Sequence, residues 1–178
     1  MAGLNYTGKT TIAKILSHNS YDLDYEQTES IEEYKTVYEI NHRNYSFCFH
    51  DRNGYDFENT KSPTNIRDYL KQGRIHFYCC NASDESSIEL VKGFYKSFVY
   101  HNSSVDYQVI ILRYSIQSQY EAITAKKQIK EFCGNSPIWE INLQNDGEKQ
   151  LESNFIEFIK QVQRYHYNLF EGCEAKMI

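Results

Sequence analysis

Short apolar runs alternate with helical patterns along most of this chain, and that alternation constrains the fold more than any other feature. IHFYCC at 75–80, YQVIILRY at 107–114 and IWEINL at 138–143 read as strands, the first two as continuous apolar runs of the buried kind. Between and after them lie helical patterns. Residues 84–101 put Ile88, Val91, Tyr95 and Phe98 on one face, 118–132 stop near Gly134, and 148–167 carry a stripe of Leu151, Phe155, Phe158, Ile159 and Val162. Upstream, 9–17 has helical spacing at Ile12, Ile15 and Leu16, 34–41 and 45–51 read as two strands joined by HRN, and 64–72 reads as a short helix around Ile66 and Leu70. Strands separated by helices imply an α/β fold: a mostly parallel, doubly wound sheet with one antiparallel hairpin strand. Ligands of such sheets bind at the carboxyl ends of the strands.

The 178 residues fit one domain, with a core over 3–164 and a tail over 165–178. A chain that is 40% hydrophobic and 24% charged can bury a core, roughly two thirds of its unfolded surface, without a disulfide or metal. The net charge of -5 excludes a basic nucleic-acid footprint and a polybasic membrane patch. No apolar run approaches membrane-spanning length, and no secretory signal is expected. The five cysteines lack CxxC spacing and read as reduced thiols of a reducing, cytoplasmic compartment. The six histidines are scattered and give no metal-ligand spacing. His50 reads as a packed strand residue beside Asp51, and nothing in the sequence fixes His18 near Cys48 or Cys133. The 16 tyrosines suit either a protein-contact face or the core.

One motif carries chemistry. Gly3-Leu4-Asn5-Tyr6-Thr7-Gly8-Lys9-Thr10 fits GxxxxGK[ST], with Thr11 following as the helix continues. Glycine lets backbone approach phosphate oxygens, and successive N–H groups with the helix N-terminus face their charge. Lys9 is placed to reach the outer phosphates, and the Thr10 hydroxyl suits Mg²⁺. A buried strand normally leads into such a loop. Only Met1 and Ala2 precede Gly3, so that first strand is expected to be truncated or missing.

With this loop, the hairpin and the alternation, the chain resembles the Ras-like small GTPases from Gly3 to about Arg164. The resemblance implies a P-loop fold binding GTP or GDP with Mg²⁺. It assigns nucleotide contacts to Gly3, Asn5, Tyr6, Thr7, Gly8, Lys9, Thr10 and Thr11 in the loop, to Thr28, and to Gly54. Thr28 follows Tyr25-Glu26-Gln27, 25 residues beyond Gly3, where the family carries its switch threonine. Asp51-Arg52-Asn53-Gly54 matches the family's DxxG. Thr10, Thr28 and Asp51 would then serve the metal, and Gly54 the γ-phosphate. The loops around 22–33 and 52–64 would be the moving parts.

Other family features are lost. Tyr55 stands where the water-orienting glutamine is usual, which implies weak or absent hydrolysis. Arg113-Tyr114-Ser115-Ile116-Gln117 replaces Asn-Lys-x-Asp. Gln117 offers one carbonyl where the family's carboxylate accepts two guanine hydrogen bonds, so guanine selectivity should fall sharply. Glu140-Ile141-Asn142-Leu143-Gln144 replaces Ser-Ala-Lys. Cys173 lies sixth from the end rather than fourth, and glycine is absent from position 2, so no direct lipid anchor is expected. The resemblance therefore implies a divergent switch that meets protein effectors. The alternative is a pseudo-GTPase kept as a scaffold within a complex. A phosphotransferase acting on another base uses the same loop, but no lid segment or arginine cluster follows residue 110.

Overall fold

The computed structural model describes residues 1, 3, 6–20, 31–51, 75–101, 107–143 and 147–165. In chain order the elements are α1 (Lys9–Leu16), β1 (Glu32–Ile40), β2 (Arg43–Asp51), β3 (Ile75–Asn81), α2 (Glu85–His101), β4 (Tyr107–Arg113), a 3₁₀ turn (Ile116–Ser118), α3 (Gln119–Cys133), β5 (Ile138–Ile141) and α4 (Gly147–Tyr165). The chain is an α/β protein with a small parallel three-stranded sheet and an antiparallel hairpin. The helix expected over 64–72 lies outside the described residues.

The parallel sheet has the order β3-β4-β5, with Ile75 opposite Tyr107 and Ile110 opposite Ile138. Its strands are apolar on both faces because both faces are covered. Alternation along each strand divides the side chains between two cores. Phe77, Cys79, Val109, Ile111, Trp139 and Ile141 face one core, which α1 and α4 close through Ile12, Leu16, Leu151 and Phe155. Tyr78, Cys80, Ile110 and Leu112 face the other, which α2 and α3 close through Ile88, Val91, Ala125 and Ile129. Gly134, at φ 58°, ends α3 where the sequence places the stop.

Two details of the hairpin differ from expectation. The strands are longer, and the connection is only Asn41–His42, not the three residues HRN. Both turn residues have positive φ, 53° and 62°, as a two-residue hairpin turn requires to match the strands' right-handed twist. The hairpin also forms a sheet of its own, whereas a single sheet including it was expected. Among the described residues no strand joins β2 to β3. The Met1 ammonium donates to the His50 carbonyl at 2.5 Å, and Gly3 lies so close to the Cys79 carbonyl that a Cβ would sit 2.3 Å from its oxygen. Burial pulls the Met1 ammonium pKa down. Such single contacts are no ladder, and side chains hold the hairpin instead. Phe155 of α4 lies 5.0 Å from Phe47, 5.1 Å from Tyr38 and 5.6 Å from Phe49, centroid to centroid. No helix among the described residues is long and apolar enough to cross a membrane.

Candidate phosphate-binding site

The glycine-rich loop lies at the carboxyl end of the parallel sheet, where an α/β fold places its ligands. Its backbone shape follows from its residues. Gly8 precedes α1 at φ 83° and Tyr6 has φ 60°, so the loop turns through left-handed conformations just before the helix. The Gly8 carbonyl accepts the first helical hydrogen bond, from the Ile12 N–H at 2.9 Å. Thr7 is buried, and Tyr6 projects outward with its ring exposed. Thr11 is half-buried on the first turn of α1.

Lys9 is only 6% exposed, which is rare for lysine and is favoured by nearby acceptors and negative charge. Its charge lies near the Cys79 thiol, where it partly opposes the effect of burial; burial dominates and pushes that thiol up to about 12. The next residue makes the key contact. The Thr10 hydroxyl donates to Asp51 Oδ2 at 2.5 Å, 41 residues away in sequence. Asp51 reaches this point because it ends β2 on the hairpin's inner face, two residues beyond Phe49, and it is fully buried. The sequence-predicted metal residues Thr10 and Asp51 are thus brought together. Asn5, Thr28, Gly54 and Tyr55 lie outside the described residues.

A hydroxyl and a carboxylate in direct contact, with no soft donor between them, form a hard-oxygen pair of the kind Mg²⁺ selects. The residues present fit that ion.

One contributor was not visible in the sequence. Arg113, the last residue of β4, donates from Nη1 to the Tyr6 carbonyl at 3.1 Å and passes beneath Gly8, where a Cβ would meet Nη1 at 3.2 Å. Burial pulls its guanidinium pKa down from the ordinary value. In the sequence the segment 113–117 shows only a lost base-reading motif, yet its first residue fixes the loop. Leu143, in the slot of the other lost motif, also reaches the loop, 3.9 Å from the Gly8 Cβ position. Gln117 is exposed on the 3₁₀ turn. His18 packs on Tyr38, with ring centroids 5.0 Å apart, and its Nδ1 lies 3.3 Å from Glu152.

No family model matches the chain, and no curated protein matches it.

Proposed function

We propose that this protein binds the phosphates of a nucleoside di- or triphosphate together with Mg²⁺, as a divergent Ras-like switch with weak intrinsic hydrolysis. The observation that carries this reading is the 2.5 Å contact between Thr10 and Asp51 beside the buried Lys9. It joins the glycine-rich loop to the first residue of the DxxG sequence, two segments that such a site needs side by side. Lys9 would neutralise phosphate charge, Thr10 and Asp51 would hold the ion, and the N–H groups around Gly8 would face phosphate oxygens. Bound Mg²⁺ would offset the charge between phosphate oxygens. The poor base-reading segment points to weak discrimination between GTP, GDP and ATP.

The test is equilibrium binding of GDP, GTP and ATP with and without Mg²⁺, with Lys9→Ala as the comparison. Micromolar or tighter binding that needs Mg²⁺ and disappears in Lys9→Ala is the expected result. A folded wild-type protein that binds none of the three overturns it. A second reading, a scaffold that no longer uses nucleotide, is favoured by Gln117, which stands exposed where the family presents its guanine-reading carboxylate. Under that reading a partner binds wild type and Lys9→Ala equally.

A further inference from the structure

The outer face of the β1–β2 hairpin carries a cluster unrelated to the phosphate-binding loop. Strand register sets Glu33 directly opposite His50, and Cys48 is two residues before His50 on the same face. One ligand atom from each of Glu33, Cys48 and His50 falls within 4.8 Å of the others. His50 Nδ1 is 3.8 Å from Glu33 Oε1, and the Cys48 Sγ lies within 4.8 Å of both. Lys35, directly opposite Cys48 in the register, holds the other carboxylate oxygen, Oε2, at 3.2 Å.

We propose that Glu33, Cys48 and His50 form a binding site for one zinc-class divalent ion on this face. Thiolate, imidazole and carboxylate are the donors that zinc takes, and three protein ligands with a water in the fourth position make a common tetrahedral set. Bond lengths of roughly 2.0–2.3 Å put ligand atoms about 3.3–3.8 Å apart in a tetrahedron. For an oxygen and a nitrogen ligand this is about 3.3–3.5 Å; the Glu33–His50 separation of 3.8 Å lies just beyond it, and rotamer adjustments of these side chains close that gap and bring in the sulfur. Lys35 on Oε2 leaves Oε1 turned toward His50, the orienting role an outer partner plays for a ligating carboxylate. Binding replaces the thiol proton of Cys48 with the metal and releases that proton to solvent. A sulfur-containing set disfavours Mg²⁺, so this site and the Thr10–Asp51 pair would select different ions.

The test is titration of the reduced full chain with Co²⁺ and then Zn²⁺, followed by absorption. One equivalent of Co²⁺ should give a thiolate-to-cobalt charge-transfer band with four-coordinate visible bands, and Zn²⁺ should displace it while excess Mg²⁺ does not. Cys48→Ser should abolish the band, and His50→Ala and Glu33→Gln should each weaken Zn²⁺ binding about tenfold or more. Cys173→Ser should leave everything unchanged. Absence of a stoichiometric band in wild type overturns the proposal, as does a band that persists in Cys48→Ser.

Discussion

The Thr10 hydroxyl donates to Asp51 Oδ2 at 2.5 Å, so the start of α1 and the end of β2 are joined by one hydrogen bond to a fully buried acidic group. Removing the donor takes a hydrogen bond from that buried oxygen. Thr10→Val keeps the side chain's shape and should destabilise the protein by about 1–3 kcal/mol. Urea denaturation of the two proteins in Mg²⁺-free buffer measures this. An unchanged midpoint would show that the contact contributes nothing to folding.

The glycines separate by what surrounds them. A Cβ at Gly3 would meet a backbone oxygen at 2.3 Å, which only a shift of β3 or of the loop can relieve. Gly8 combines φ 83° with the flexible end of Arg113. Gly93 lies within α2 with open space around it. Gly93→Ala should therefore stabilise by about 0.5–1 kcal/mol. Gly8→Ala should cost about 1–2 kcal/mol in backbone strain, and Gly3→Ala should cost more than Gly8→Ala. Thermal midpoints of the three variants give the order; a Gly3→Ala protein as stable as wild type would contradict it.

Tyr38 and Tyr78 are both buried, and their hydroxyls differ. Tyr38 donates to the Leu16 carbonyl at 2.7 Å, satisfying an acceptor at the end of α1. The Tyr78 hydroxyl has no hydrogen-bond partner among the described residues. Tyr38→Phe should lower stability by about 1 kcal/mol, while Tyr78→Phe should be neutral or stabilising by about the same amount. Chemical denaturation of the pair decides it, and equal losses from both would count against the stated difference.

Alkali should unfold the protein earlier than its carboxylates and lysines alone would suggest. Burial raises the Cys79 thiol from 9.0 to about 12, so the folded state keeps a proton that the unfolded chain gives up. The associated stability is fully present below pH 9 and is lost as pH rises from there to about 12. Buried Tyr38 and Tyr78 add losses of the same sign above pH 10. Stability measured across this window should fall with pH, and Cys79→Ala should fall less steeply; parallel slopes would remove Cys79 as a cause.

The layered architecture was legible because period carries it. Phe77 and Cys79 face one core while Tyr78 and Cys80 face the other, and that alternation is written directly in the strand. The meeting of Thr10 with Asp51 was expected from their two motifs. Arg113 was not legible as a loop support, since nothing local indicates that the end of β4 lies under Tyr6 and Gly8. The Glu33–Cys48–His50 cluster is hidden in the sequence for a related reason. The Cys-x-His spacing shows that two donors share a face, but the third donor and the outward direction of that face depend on register. The separation of the hairpin from the parallel sheet depends on backbone pairing, which composition and periodicity do not encode.

The two-residue turn at Asn41–His42 acts as a ruler for everything beyond it. It counts β2 from a fixed origin, so that odd positions such as Phe49 and Asp51 point inward and even ones such as Cys48 and His50 point outward. Inserting one residue there, with the two-residue turn kept so that the register slips by one, would exchange the two sets. Asp51 would leave Thr10 for solvent and His50 would enter its place, so a change at the far tip of the hairpin would rewrite the chemistry at its base.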